Sequence, residues 1–306
     1  MPMIRGLYLV DRRRRTVDEE VGLLRKAMDV DLQPMIFDNV VPTVGSDDGD
    51  WILLASGERI PVPDVVITRA FGLSDSESYH LKAVLRMLEG KGALCINPAE
   101  CKDITSDKLR TFQVASQVIP EIPIPRTMLV TPEVGAEQIA EYTGYPVVLK
   151  TLHGEGGDGV FLVDSEPELK RMISLFRAFK PGDQMIAQQA IMSSKGRDMR
   201  VMVSGNGVIG AFMRNNPSGF RSNVHQGGRV EDYDPPEHVK AAAVKFARAI
   251  GMVIGGVDFL FGEKEGEFYL CEANSSIGMS METFNEVRST IDAIMQRADR
   301  GPEGKS

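Results

Sequence analysis

The 306-residue chain is 42% hydrophobic and 25% charged, the balance of a soluble globular protein long enough for two or three packed units. Its net charge of −8 speaks against a broad basic surface for nucleic acid, and no apolar run reaches membrane-spanning length. Cys95, Cys101 and Cys271 form no CxxC pair and no zinc spacing, and residues 1–10 lack the apolar core of a signal peptide, so the expectation is a cytoplasmic protein with reduced thiols.

Residues 4–10 are an apolar run that reads as a first strand. Arg12 to Arg15 follow, either as a solvated loop or as a basic lip for an anionic substrate. Residues 17–28 place Val21, Leu24 and Met28 at helical spacing. Residues 32–37, 51–55 and 65–68 read as strands and 75–89 as a helix, so an α/β domain is expected over 1–97, with Asn97-Pro98 as a linker. Two further lobes are expected over 98–187 and 188–300, with 301–306 as a tail. Thr105-Ser106-Asp107 is a helix-start signal for a helix over 105–117. Lys108 falls in its first turn, where the helix dipole gives a cation no benefit; it is a surface lysine or it faces a phosphate together with the helix start.

Residues 146–150 form a short strand ending in Lys150, and 160–163 resume one. Between them the loop HGEGGDG carries G-x-G-x-x-G at Gly154, Gly156 and Gly159. A dinucleotide fingerprint must run into a helix, and here β-branched and aromatic residues follow. A Walker loop ends in Gly-Lys-Ser/Thr, and a kinase glycine loop precedes its lysine, so neither fits. What remains is a glycine flap between antiparallel strands whose amides can close over a triphosphate, or else a plain hairpin tip.

Residues 168–179 read as a helix, 183–191 as a strand, and 198–204 with 208–213 as a hairpin about Gly205-Asn206-Gly207. Asp198 and Arg200 share a face by the strand period. Next comes a polar segment with Arg214, Arg221, Ser222, Asn223, His225 and Gly227-Gly228, a surface loop or a site loop for anionic oxygens. Residues 236–252 and 281–298 read as helices. Between these helices, 255–279 read as a hairpin with a polar turn at 262–267. With the turn centred near Glu265, Asp258 stands opposite Glu272, and Asn274 shares the face of Glu272. Two carboxylates and an amide oxygen suit a hard divalent cation; the plainer reading is a wet hairpin face. Ser222 and His225 lack an acid to complete a hydrolase relay.

DKLR (107–110), PVVLK (146–150), GEGGDGV (154–160), RDMR (197–200), FRSNVHQGG (220–228), GGVDFL (255–260) and EANSSIG (272–278) together resemble the ATP-grasp carboxylate–amine ligases, closest to the RimK-type α-L-glutamate ligases. The resemblance runs from about 64 to 295 and is weakest over the first sixty residues. It implies an α/β (α+β) ATP-grasp fold: an N-terminal pre-ATP-grasp domain and a two-lobed ATP clamp. It assigns Lys108 and Lys150 to the ATP phosphates, Gly156, Gly157 and Gly159 to the flap, and Gln189, Ala190 and Ile191 to the adenine. Asp198 falls at the ribose, with Ser222 beside the nucleotide. Arg200, Arg221 and Asn223 stand at the reacting centre, and Asp258, Glu272 and Asn274 hold Mg²⁺, two ions, with Mn²⁺ as a substitute. In the family a small-molecule or peptide carboxylate becomes an acyl phosphate, and an amino-acid amine, often that of glutamate, displaces the phosphate. Gln189-Ala190 stand where the family usually has an acid and an aromatic residue; an amide oxygen there still accepts from the adenine amino group. Gln226 stands where members that modify a ribosomal protein have a basic residue, which speaks against that role. The carboxylate, the amine and any self-association into a homo-oligomer are left open. An ATP-binding module without catalysis and a phosphotransferase are the competing readings. The presence of Arg221, Asn223 and the three metal ligands favours the ligase, and only His225 could serve a phosphotransferase as base. The Arg12 to Arg15 run and Arg69 are candidates for acceptor binding.

Overall fold

The computed structural model describes residues 4–11, 17–28, 30–45, 49–154, 159–180, 182–205, 207–217, 219, 220, 222, 229–276 and 289. The first lobe runs β1 (Ile4–Val10), α1 (Val17–Met28), β2 (Val30–Ile36), a small antiparallel sheet of β3 (Val40–Val41), β4 (Trp51–Leu54) and β5 (Arg59–Pro61), then β6 (Val65–Arg69), α2 (Asp75–Gly90) and β7 (Leu94–Ile96). Its main sheet is parallel in the order β2-β1-β6-β7. Leu7 and Leu9 join a core with Leu81, Val84 and Leu85 of α2, while Tyr8 and Val10 join one with Val21 and Leu24 of α1. A strand period of two buried on both faces gives this split. α2 starts in a capping box: Ser74 accepts from the Glu77 N–H, and Glu77 accepts from the Ser74 N–H.

The sequence predicts one helix over 105–117; the structure has two, α3 (Ala99–Ser106) and α4 (Lys108–Val118). Asp107 separates them. Its backbone is extended (φ −111°, ψ 109°) and its carboxylate accepts from the Arg110 N–H, so it caps α4 alone. Asn97 is not a loose linker residue: it is 1% exposed and hydrogen-bonded to the C-terminal lobe.

The central lobe contains β8 (Thr127–Leu129), α5 (Ala136–Thr143), β9 (Val147–Thr151), β10 (Val160–Val163), α6 (Glu166–Phe179) and β11 (Met185–Gln189). Its antiparallel sheet has the order β10-β9-β11-β8. Val147, Leu149 and Ala187 pack with Ile139 of α5 and Leu169 and Ile173 of α6. Val148, Lys150 and Gln188 therefore fall on the opposite face.

The last lobe has β12 (Arg197–Ser204), β13 (Gly207–Asn215), β14 (Arg229–Asp232), α7 (Glu237–Ala249), β15 (Ile254–Phe261) and β16 (Phe268–Asn274), in an antiparallel sheet ordered β14-β13-β12-β15-β16. β14 has no counterpart in the sequence reading. Met199, Val201, Val257, Phe259, Leu270 and Ala273 share one core with Phe246 of α7 and with Cys101, Ile104, Phe112 and Ala115 of α3 and α4. The sequence reading counts α3 and α4 with the central lobe, yet their buried side chains join this C-terminal core. The helix expected over 281–298 lies, Ser289 aside, outside the described residues. Among the described residues no helix is long and apolar enough to cross a membrane, and all three cysteines are unpaired.

Candidate active site

The uncovered faces of the central and C-terminal sheets line one cleft. From the central side come Lys108, Val148, Lys150, Gln188, Gln189 and Ile191; from the other come Asp198, Arg214, Ser222, Leu260, Cys271 and Glu272.

The C-terminal wall is a buried alternation of charge. Asp258 and Glu272 are register partners across β15 and β16, as the turn position predicts. Asp258 has no exposed surface. Its Oδ1 accepts from Arg200 Nε (2.6 Å), and its Oδ2 accepts from Arg200 Nη2 (2.6 Å) and Arg214 Nη2 (2.7 Å). Arg214 also donates to both oxygens of Asp198, at 2.7 and 2.5 Å. Gly256 makes room for this arrangement. A Cβ there would sit 2.9 Å from Arg200 Cδ, so only glycine lets the arginine lie across the strand toward Asp258. Burial alone would push the Asp258 carboxyl up; the guanidinium charges of Arg200 and Arg214 outweigh it and hold the group well below the usual carboxylate range. Burial, with the charge of Asp258, pushes Asp198 up, against the bonds from Arg214 and Ser222. Arg214, which the sequence reading leaves in a polar loop, is the buried end of β13 and the hub of this wall.

Asn274 joins Asp258 and Glu272 through its amide nitrogen. Its amide nitrogen lies 3.3 Å from Asp258 Oδ2 and 3.2 Å from Glu272 Oε1, so all three side chains meet at one point. Burial pushes the neighbouring Cys271 thiol up to about 12, so no thiolate competes there. Hard oxygen donors beside a neutral thiol fit Mg²⁺ rather than a softer ion.

On the central wall, Lys150 pairs in register with Val160 and Ile186 and has no carboxylate partner among the described residues. Lys108 donates to the carbonyls of Gly154 (3.0 Å) and Leu152 (3.5 Å), and His153 Nδ1 meets the Ser106 carbonyl at 2.9 Å, so the base of the glycine loop is tied to α3 and α4. Gly159 closes that loop at φ +75°, where a Cβ would lie 2.7 Å from Thr151, so glycine is required. The expected adenine acceptor is otherwise engaged: Gln189 Oε1 accepts from the backbone and side chain of Arg126 at 3.4 and 3.3 Å. Gln189 ends β11, and its side-chain oxygen is held by Arg126, just before β8. Two residues on, Ile191 lines the cleft, and Ala190 is not among its lining residues. Gly156, Gly157, Arg221, Asn223, His225 and Arg12 to Arg15 lie outside the described residues. Arg69 ion-pairs with Glu20 (3.8 Å) and stacks over Phe71 (4.6 Å) in the first lobe.

This three-lobed arrangement recurs in solved proteins. PsnB, an ATP-grasp ligase complexed with a minimal precursor, matches with a TM-score of 0.68 over 95% of this chain and 99% of its own at 16% identity. D-alanyl-alanine synthetase A from Vibrio cholerae matches with a TM-score of 0.70 over 98% of both chains at 16% identity. The fold is the ATP-grasp clamp, whose ligases use ATP and Mg²⁺ on carboxylate and amine substrates; PsnB has also been solved with Mg and ADP. Within that class the chain belongs to the RimK-like ATP-grasp family, whose model matches residues 105–297. A Vibrio parahaemolyticus protein named "Probable alpha-L-glutamate ligase" is 34% identical over 225 residues, 73% of this chain and 72% of its own; a Vibrio atlanticus protein of the same name is 33% identical over 242 residues, 78% and 77%. The chain is thus an ATP-dependent ligase.

Proposed function

We propose that this ligase makes an amide between a carboxylate, small or peptidic, and the amine of an amino acid, with glutamate the first candidate, through an acyl phosphate. The observation that carries the reading is the meeting of Asp258, Glu272 and Asn274, with Glu272 lining the same cleft as Lys108 and Lys150. Asp258, Glu272 and Asn274 are the residues that would hold Mg²⁺, two ions by the family pattern. When bound, Mg²⁺ offsets phosphate charge and sets the phosphates in line with the attacking oxygen.

The remaining work falls to the chain's own groups. Lys108 and Lys150 draw the phosphates to the central wall. Gly156, Gly157 and Gly159 close over them, and Gln189, Ala190 and Ile191 border the base. Asp198 accepts from a ribose hydroxyl with the lone pairs that Arg214 leaves open, and Ser222 stands beside it. Arg200 and Arg221 offset charge on the reacting oxygens, and Asn223 donates a hydrogen bond to them. A carboxylate oxygen attacks the γ-phosphorus and ADP leaves. The ammonium gives up one proton to become the free amine, which attacks the acyl carbon; the adduct loses a second proton, and phosphate leaves with the electrons of the broken C–O bond. The glutamate preference rests on the name of the relatives, and a peptide carboxylate on the precursor bound by PsnB.

Hydroxylamine tests the reading. With the carboxylate, ATP and Mg²⁺ it should capture the acyl phosphate as a hydroxamate, with one ADP formed per hydroxamate. A phosphorylated hydroxyl compound would mark a phosphotransferase. ATP binding without turnover across a broad acid panel would mark a module that binds but does not ligate.

A further inference from the structure

The open end of the hairpin bearing Asp258, Glu272 and Asn274 is held by a side chain from the first lobe. Asn97 follows β7 and is 1% exposed. Its Oδ1 accepts from the N–H groups of Val253 (2.7 Å) and Ile254 (3.1 Å). Its Nδ2 donates to the carbonyls of Ile254 (2.6 Å) and Ser275 (2.6 Å). Two accepted and two donated bonds are the working capacity of a carboxamide in one plane. Ile254 opens β15 and Ser275 follows the last residue of β16, so one side chain spans both strands beyond the Gly256–Asn274 register pair. Two residues of α3 add to the grip: Thr105 Oγ1 donates to Ser275 Oγ (2.8 Å) and Lys102 Nζ to Ser276 Oγ (3.3 Å).

We infer that Asn97 is a positioning residue for the metal-holding hairpin. It fixes β15 against β16 at their open end, sets Asn274 against Asp258 and Glu272, and so ties the seating of the first lobe to the geometry of the site. The inference rests on the reading of those three residues as Mg²⁺ ligands. The chemistry asks for a carboxamide. Aspartate offers no donor to the Ile254 and Ser275 carbonyls and sets a buried negative charge against them; alanine offers nothing to either strand. Side chains that orient metal ligands from behind cost about 10- to 100-fold in metal affinity when removed.

The test uses the full chain with ADP and Mn²⁺ as the probe, reading free Mn²⁺ by electron paramagnetic resonance and following thermal unfolding alongside. Asn97→Ala and Asn97→Asp should weaken Mn²⁺ binding by about tenfold or more, and Thr105→Val by about threefold. Thr143→Ala is the control: its buried hydroxyl donates to the Ile139 carbonyl in the central lobe (2.8 Å), so it should lower the melting temperature and leave Mn²⁺ binding unmoved. Folded Asn97 variants that bind Mn²⁺ within about twofold of the parent overturn the inference. If neither Asn97 variant folds, Thr105→Val decides, and unchanged binding there overturns it. Glu272→Gln separates the two layers. Mn²⁺ binding indifferent to Glu272→Gln sinks the ligand reading itself; sensitivity to Glu272→Gln with indifference to Asn97 sinks the positioning role alone.

Discussion

The two walls of the cleft treat charge in opposite ways. On the C-terminal wall Asp198, Arg214, Asp258 and Arg200 neutralise one another in a buried row before any nucleotide arrives. On the central wall Lys150 has no carboxylate partner among the described residues, and Lys108 leans on backbone carbonyls. One wall is a preorganised frame; the other is a cationic surface completed by an anion. The difference teaches which residues serve the fold as well as the chemistry, and mutation can set the two apart.

The largest effect falls on the frame. Arg214→Met strands Asp198 and leaves Asp258 with one guanidinium, so about 3–5 kcal/mol of stability should be lost, read from urea unfolding. Lys150→Met should change stability by less than about 0.5 kcal/mol. It should weaken ATP binding by about 10- to 100-fold, the loss of one charge-assisted phosphate contact, read by calorimetry. Equal destabilisation by the two changes would erase the distinction between the walls.

An effect smaller than that of Arg214→Met concerns two buried thiols, Cys101 in the C-terminal core and Cys95 in the first lobe. Burial lifts Cys101 from 9.0 to about 12 and lifts Cys95 as well. A raised acid favours the folded state fully below its unfolded value, and that contribution is lost as pH rises from about 9 toward 12. The unfolding free energy read from urea curves should therefore fall between about pH 9 and 10.5, by about 1 kcal/mol per thiol per pH unit. Cys101→Ala should flatten that slope; a slope unchanged in the variant would remove Cys101 from the account.

Much of this frame could be read from residues because strand period and turn position decide faces. β1, the helices at 17–28 and 75–90, and the pairing of Asp258 with Glu272 all follow from spacing. What spacing misses are bulges. Counting back residue for residue from the 262–267 turn sets Cys271 opposite Asp258; a register shift between Asp258 and Phe259 brings Glu272 there instead, and centring the turn at Glu265 absorbs the extra residue. The same count about Asn206 sets Arg214 opposite Asp198, the pairing observed; the hub is missed because the strand reading stops at 213, one residue short of it, and leaves Arg214 to the polar loop. Asn97 was illegible for another reason: its partners lie over 150 residues away, and no local pattern encodes them.

The central claim is ligation through an acyl phosphate on this two-walled clamp, and product stoichiometry tests it most directly. With Mg²⁺, ATP, glutamate and a panel of carboxylates, one ADP and one phosphate should appear for each amide formed, and Glu272→Ala should abolish all three while unfolding like the parent. AMP and pyrophosphate in place of ADP, or full turnover in Glu272→Ala, would contradict it.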